Sequence, residues 1–219
     1  MKPGEEWGAP TDEQPEATVT GDDTALAAAV PTDGATVPLV RFLPVGSELA
    51  RAIGVAPAGE HAPARGVALP VDAIDTDRGV AVNLVTLGRA PDALRAWHRP
   101  RQVTVTVDGR TVHDGPATTV VIAIGQFSGT ADLVPRGHPG DGRLEVQVYA
   151  LRAGERAGMR RRLATGTHLP HPRIATATGR HIRVETGGAT LPLALDDRAA
   201  GAVEGLDATV RHPALRLLI

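Results

Sequence analysis

The chain contains no cysteine, a single lysine and few aromatic residues, with two Trp, one Tyr and two Phe among 219 residues. The absence of cysteine excludes a disulfide framework, a thiolate zinc site and a cysteine nucleophile. Such a composition suits the reducing cytosol. Neither serine, Ser47 or Ser128, lies in a Gly-x-Ser-x-Gly motif, so a serine hydrolase of that type is disfavoured.

Long apolar segments are also lacking. No stretch approaches the roughly 20 apolar residues of a membrane-spanning helix, and the acidic N-terminus does not have the basic start and apolar run of a secretory signal. We therefore expect a cytoplasmic protein, with peripheral attachment to the inner face of the membrane as an alternative.

The formal net charge is only −2, but the charges are unevenly distributed. Residues 136–183 contain ten arginines against three acidic residues. This region either binds phosphate groups or is an ordinary solvated surface. Nucleic acid is disfavoured as the partner because Tyr149 is the only aromatic residue in this region, whereas proteins that bind single strands stack bases on several aromatic side chains. An anionic membrane suits better, since Arg160–Arg162 lie beside Met159 and Leu163.

Short alternating segments between Gly, Pro and Asp turns predict a mainly β protein. Val103, Val105 and Val107, for example, alternate with threonines, which is typical of a half-buried strand. We expect an antiparallel β-sandwich or barrel with a short α/β remnant at the N-terminus. The predicted strand regions are 79–88, 101–109, 117–125, 143–151, 180–187, 189–197 and 207–219.

Composition divides the chain into four parts. Residues 1–16 form a polar, acidic tail that we expect to be disordered. Residues 17–56 contain two short strands, each followed by a helix-like run, and form the α/β remnant. Residues 57–70 are a Pro/Gly/Ala-rich linker, and residues 71–219 form the β-rich domain.

A Gly/Pro-rich turn that contains Asp141 precedes the alternating strand Leu144–Tyr149. Main-chain oxygens exposed beside one carboxylate are suitable ligands for a hard cation such as Mg²⁺. An ordinary Asp-Gly turn explains the same residues equally simply. The spacing alone leaves both interpretations open.

This region resembles the second domain of the diacylglycerol kinase family, which includes the bacterial lipid kinases. The shared features are a Gly-rich stretch ending in a proline (Gly129–Pro135) and then Asp-Gly-x-Leu (Asp141–Leu144). The resemblance continues through residues 191–201 to the closing strand. It implies that Asp141, with main-chain oxygens near His138 and Arg143, holds a structural Mg²⁺.

The remnant resembles the nucleotide-binding part of the same family, with departures. The family's Gly-Gly-Asp-Gly-Thr, whose glycines let main-chain N–H groups surround ATP phosphates, is matched here at Gly21, Asp22 and Thr24, but Asp23 replaces a glycine. The second motif is matched at Gly46 and nearby positions, with an apparent deletion after it. ATP binding is therefore doubtful.

In the family, an Asp-Gly-Glu turn supplies the base that accepts a proton from the lipid hydroxyl. Asp196 stands at that aspartate, followed by Asp197 and Arg198 in place of Gly and Glu. The resemblance makes Asp196 the candidate catalytic residue for phosphoryl transfer. A simple turn at a strand end is the alternative.

Two functions remain open on the sequence. The chain is either a degenerate relative that acts as a lipid-binding or interaction domain, or an active ATP-dependent lipid kinase of diacylglycerol or sphingoid type. Because most layers of the family's nucleotide domain are missing, the strands of residues 17–56 need another partner. That partner is either the chain's own β domain or a second chain, as in a homodimer.

Overall fold

A computed structural model describes residues 7–32, 34, 36–55 and 66–219, and these residues form a mainly β structure. The first strands are β1 (Ala9–Thr11), β2 (Ala17–Gly21), β3 (Leu39–Pro44), β4 (Gly66–Thr76), β5 (Gly79–Ala81), β6 (Leu84–Gly88), β7 (Arg101–Val107), β8 (Arg110–Ala117) and β9 (Thr119–Ala123). The later strands are β10 (Phe127–Ser128), β11 (Ala131–Asp132), β12 (Leu144–Tyr149), β13 (Ile174–Gly179), β14 (His181–Glu185), β15 (Leu191–Leu195), β16 (Arg198–Val203) and β17 (Gly205–Leu218). The helices are α1 (Asp23–Ala27), α2 (Glu48–Ile53) and α3 (Arg156–Leu163), with 3₁₀ turns at Pro91–Ala93 and Ala153–Glu155.

Two large sheets face each other. One has nine strands, with the path β1-β4-β17-β14-β7-β8 and with β2, β3 and β5 attached to it, and the other has six strands in the order β13-β12-β9-β6-β15-β16. Pairing is antiparallel throughout the six-stranded sheet. The predicted mainly β, antiparallel architecture is confirmed.

The main core lies between these sheets because apolar residues alternate along their strands. Val103, Val105 and Val107 of β7 are buried against the facing sheet, as the period of two predicts. Their partners include Val120 and Ile122 of β9.

The six-stranded sheet is covered on its second face as well. A separate apolar cluster joins Val121 and Tyr149 of this sheet to Leu94, Met159 and Leu163, and the last two belong to α3. Burial on both sides explains why every residue of β9 is buried and why residues 120–123 are apolar in succession rather than in alternation.

The N-terminal residues form a small α/β layer on the nine-stranded sheet. Strands β2 and β3 are parallel, and β3 pairs in parallel with the end of β17. Leu26 of α1 and Leu49 of α2 pack with Leu215 and Leu217 of β17 in a second core. The chain's own β domain therefore supplies the partner these strands need, and a second chain is not required for that purpose.

Two expected boundaries need correction. The expectation of a disordered tail over residues 1–16 is wrong for Ala9–Thr11, which form β1 and pair with β4. The expected linker 57–70 overlaps β4, which begins at Gly66, because residues 66–70 find pairing partners in β1 and β17. Residues 1–6 of the tail and 57–65 of the linker lie outside the described residues.

Within the described residues, none of the helices is both long enough and apolar enough to cross a membrane.

Candidate functional site

The residues that match the family's nucleotide motifs come together at the ends of two parallel strands. Gly21 ends β2, and its carbonyl accepts the N–H of Val45, which follows β3, at 2.7 Å. Asp22 is the N-cap of α1, and its carboxylate accepts the N–H of Ala25 at 3.0 Å. Thr24 lies in the first turn of α1, and Gly46 has a φ of 72° in the turn before α2. The structure thus brings Gly21, Asp22, Thr24 and Gly46 to the same edge of the sheet, and their role in binding nucleotide stays a prediction.

Asp23, the residue that replaces a glycine, connects the two loops. Its buried carboxylate accepts the hydroxyl of Ser47, the N-cap of α2, and the main-chain N–H groups of Glu48 and Leu49, each at 3.2 Å. These are the first N–H groups of α2, which have no partner within the helix. Burial raises the pKa of Asp23 to about 6, although these hydrogen bonds lower it. The carboxylate therefore occupies the place that an anion would take at this helix end.

Asp196 lies in the turn between β15 and β16, close enough to Asp23 for their charges to interact. It has a φ of 46°, and its carboxylate accepts the main-chain N–H groups of Val82, Asn83 and Leu84 at 2.9, 2.9 and 3.0 Å. Burial raises its pKa to about 7, and the negative charge of nearby Asp23 adds to the rise. Both oxygens are thus engaged in holding the segment that leads into β6.

A short hairpin, formed by β10 and β11, links this turn to α2. Ser128 of the hairpin donates its hydroxyl to Asp197 at 3.2 Å, and the side-chain amide of Asn83 donates to the carbonyl of Phe127 at 3.0 Å. From α2, the guanidinium of Arg51 stacks 3.8 Å from the centre of the Phe127 ring and donates to the carbonyl of Gly129 at 2.7 Å. Arg51 matches the family's second nucleotide motif in the sequence, whereas Asn83 gives no such signal, because its partner is distant in sequence.

The structure places Asp141 in a tight turn before β12. Its carboxylate accepts the N–H of Arg143 at 3.0 Å, as in an ordinary Asx turn. In the same turn, Nδ1 of His138 accepts the N–H of Gly140 at 3.2 Å, and the His138 ring meets Trp7 edge to face at 4.9 Å. The three residues assigned to Mg²⁺ by resemblance therefore share one turn.

Two residues that sequence reasoning missed hold this turn in place. Asp72 of β4 is fully buried, donates its N–H to the carbonyl of Pro139 at 2.7 Å and accepts the N–H of Gly142 at 2.8 Å. His212 contacts the same carboxylate through Nδ1 at 2.6 Å. It lies where the β17–β4 register shifts, and such irregularities redirect side chains. The available signal was a carboxylate inside the apolar run Leu-Pro-Val-Asp-Ala-Ile.

A carboxylate in a turn with exposed main-chain oxygens is the kind of ligand set that a hard cation binds, and the turn of Asp141 offers one such carboxylate. Burial raises the pKa of both Asp72 and Glu145, and the charge of Asp141 contributes to each rise. A cation at Asp141 would reduce this crowding of negative charge. No group of three or more His, Cys, Asp or Glu side chains that could hold a metal occurs in the described part of the chain, but a site of one carboxylate and main-chain oxygens requires no such group.

Comparison with known proteins concerns the β domain and the fold. Residues 73–219 match the family model of the YegS C-terminal NAD kinase beta sandwich-like domain. No curated protein sequence gives a significant match.

Solved structures share the fold at low sequence identity. A diacylglycerol kinase from Bacillus anthracis str. Sterne superposes with a TM-score of 0.70 at 17% identity, covering 91% of this chain and 74% of that one. Another structure from this organism, described in similar terms, gives 0.70 at 14% identity and covers 91% and 76% of the two chains. Yeast NADH kinase complexed with NADH gives 0.54 at 14% identity over 92% of this chain and 60% of that one. With the family match over most of its length, the chain belongs to the diacylglycerol kinase family and carries that family's YegS C-terminal domain.

Proposed function

We propose that this protein is a degenerate member of the diacylglycerol kinase family that binds lipid and does not use ATP. The β domain that the family model matches supports lipid binding. The state of the nucleotide loops supports the loss of ATP binding. The family reaction, ATP-dependent phosphorylation of a lipid hydroxyl, would then be absent from this chain.

The observation that carries this proposal is the position of the Asp23 carboxylate. Phosphate binding at a helix start needs main-chain N–H groups that are free to point at the ligand. Here the N–H groups of Glu48 and Leu49 already donate to Asp23. A phosphate would have to displace an internal anion and would be repelled by it.

The geometry of Asp196 supports the same conclusion. A general base must have an oxygen within hydrogen-bond reach of the proton that it accepts. Three main-chain N–H groups already donate to the two oxygens of Asp196. In this proposal Asp196 holds the residues before β6 in place, and its assignment as catalytic base stays a prediction of the resemblance.

An active lipid kinase is the second candidate, and one observation favours it. Asp196, with a pKa raised by burial to about 7, lies close enough to Asp23 for their charges to interact. A carboxylate with a pKa near neutrality suits proton transfer. ATP-dependent phosphorylation of diacylglycerol or a sphingoid base by the purified protein, lost in Asp196→Asn, would establish this candidate.

Isothermal titration calorimetry with ATP-Mg²⁺ tests the proposal. We expect no binding at micromolar concentrations, because the donors for phosphate are occupied. Asp23→Gly should restore little affinity, since the turn after Gly46 is also shortened. Asp12→Gly, which removes an exposed carboxylate from the loop after β1, is the control. A micromolar dissociation constant for the unaltered protein would overturn the proposal.

Three subsidiary assignments belong to the same proposal. Structural Mg²⁺ is held by Asp141 with main-chain oxygens of His138 and Arg143. The partner is a lipid or an anionic membrane surface, to which the protein attaches peripherally, rather than nucleic acid. A homodimer or partner chain stays a possible addition, although the α/β layer is already paired within the chain.

A further inference from the structure

The segment of residues 89–101, which we call the Trp97 loop, displays a large aromatic side chain to solvent. Trp97 is 75% exposed, while Leu94 of the same loop is fully buried. An exposed Trp next to a buried Leu indicates that the loop is anchored and that the indole is directed outward. Isolated exposed apolar residues are common, so a binding role for Trp97 has to be argued from the residues around it.

Helix α3 anchors the loop through two arginines. Arg156 is 2% exposed, and its Nη1 donates to the main-chain oxygens of residues 95, 96 and 98 at 2.8, 3.0 and 2.6 Å. Arg160 donates to the carbonyl of Leu94 at 2.7 Å. Leu94 also packs with Met159 and Leu163 of α3. The Trp97 loop and α3 therefore form one continuous surface, which we call the docking surface.

The docking surface is strongly basic. The carbonyl partners of Arg156 are neutral, so its charge is not balanced by these hydrogen bonds. The pKa of His98 is lowered by loss of hydration and by the nearby guanidiniums of Arg89, Arg156 and Arg95. Further exposed arginines are Arg99, Arg101, Arg152, Arg161 and Arg162.

Acidic residues do little to balance this charge. Residues 89–101 and 152–163 contain only Asp92 and Glu155 as acids, and Glu155 forms an ion pair with Arg173 outside these segments at 3.4 Å. The surface thus combines one protruding indole with an excess of guanidinium groups.

We infer that the docking surface binds the anionic face of a lipid bilayer, with Trp97 inserted at the headgroup level and the exposed arginines paired with lipid phosphates. The inference rests on the proposed function, which requires lipid to be taken from a membrane, and it identifies the surface that makes the contact. Trp suits the membrane interface because one edge of its ring is polar and the rest is apolar.

Single-stranded nucleic acid is the less favoured occupant of the docking surface. Its binding sites stack successive bases on several aromatic side chains along a basic groove. Here Trp97 is the only aromatic residue in residues 89–101 and 152–163 other than His98, which packs against it at 5.9 Å. One indole surrounded by cations is better matched to a planar anionic surface.

Vesicle sedimentation tests the inference. The unaltered protein should bind phosphatidylcholine vesicles that contain phosphatidylglycerol and should not bind pure phosphatidylcholine. Arg161→Ala/Arg162→Ala should weaken binding roughly 30-fold, since each arginine near an anionic surface contributes about 1 kcal/mol, or about fivefold in affinity. Trp97→Ala should weaken it by roughly tenfold. Binding should also fall as salt rises.

Fluorescence gives a second readout that does not depend on the stability of the alanine variants. Emission of the unaltered protein should shift to shorter wavelength on adding anionic vesicles, because Trp97 leaves water. The shift should vanish in Trp97→Phe, which keeps Trp7. A shift of equal size in both proteins, or none in either, would overturn insertion of Trp97.

The matched control is Arg41→Ala/Arg110→Ala, which removes the same charge from exposed positions on β3 and β8. This control and Asp23→Gly should bind vesicles as the unaltered protein does. Because Asp23→Gly alters only the nucleotide loops, a failure of vesicle binding can be distinguished from a failure of the ATP prediction. Equal losses in the two double variants would mean that net charge alone matters and would overturn the assignment of this surface. Tighter binding to a fluorescent single-stranded oligonucleotide than to anionic vesicles, lost in Arg161→Ala/Arg162→Ala, would replace the membrane with nucleic acid.

Discussion

Asp23 and Asp196 are carboxylates whose hydrogen bonds come mainly from main-chain amides. Amide donors stabilise the charged form, yet burial raises the pKa of Asp23 to about 6 and of Asp196 to about 7. Loss of hydration therefore exceeds the effect of the hydrogen bonds at both residues. The two charges also interact unfavourably. Protonation of either residue relieves this repulsion.

The raised pKa of Asp196 predicts a dependence of stability on pH. Between the unfolded pKa of about 4 and the folded pKa of Asp196 of about 7, the native state binds more protons than the unfolded state. The contribution of Asp196 to the free energy of unfolding is therefore greatest below about pH 4 and is lost as the pH rises towards 7. For every pH unit by which the folded pKa exceeds the unfolded pKa, this contribution changes by about 1.4 kcal/mol.

Asp196→Asn removes the titrating group and should make stability less sensitive to pH in this range. Urea unfolding at several pH values measures the effect, with Asp77→Asn in an exposed turn as the control. Parallel stability profiles for Asp196→Asn and the unaltered protein would show that the pKa of Asp196 is not raised by folding.

At the scale of elements, the turn before β12 is held mainly from outside itself. Its backbone is fixed by Asp72 of β4 and, through that carboxylate, by His212 of β17. A ligand that binds this turn would therefore stabilise the nine-stranded sheet as well. This connection makes the assignment of Mg²⁺ to Asp141 measurable without any enzymatic activity.

We expect Mg²⁺ to raise the melting temperature of the unaltered protein and not that of Asp141→Ala. At ten times its dissociation constant, a ligand that binds only the native state adds about 1.4 kcal/mol, which corresponds to roughly 3–6 °C for a chain of this size. Differential scanning fluorimetry measures the change in melting temperature. Asp77→Ala, which removes an exposed carboxylate, should keep the Mg²⁺ response. An unaltered protein that melts identically with and without Mg²⁺ would leave Asp141 as an ordinary turn residue.

Sequence patterns predicted elements better than they predicted their partners. Strand β7 follows directly from the alternation at Val103, Val105 and Val107, and α2 lies in the helix-like run predicted after the second strand. The role of Asp23 could not be predicted, because its partners lie on the next helix and only the folded chain brings them together. The exposure of Trp97 was equally hidden, since it depends on guanidinium contacts from α3, far along the sequence.

At the scale of the whole molecule, β4 and β17 contribute residues both to the core between the two sheets and to the core under the α/β layer. Leu206 and Ala208 of β17 lie in the core between the two sheets, whereas Leu215 and Leu217 lie in the core beneath the α/β layer. The two cores therefore share continuous strands. Disruption of one core should be transmitted to the other.

We predict a single cooperative unfolding transition in differential scanning calorimetry, with equal calorimetric and van't Hoff enthalpies. Leu217→Ala should destabilise the protein by about 2–5 kcal/mol and should move this transition to lower temperature without splitting it. Leu193→Ala, in the core between the sheets, is the matched comparison and should behave in the same way. Two separate transitions in Leu217→Ala would show that the α/β layer unfolds independently.

The parallel pairing of β3 with the end of β17 also has a consequence for biosynthesis. Residues 17–44 are translated before strands β4–β16, whereas β17, with which β3 pairs, is translated after them. Until then, one edge of β3 lacks its final partner and can pair with other chains. The α/β layer is thus exposed to misassembly until β17 has been made, and a chaperone that shields it would act in the interval between translation of β3 and translation of β17.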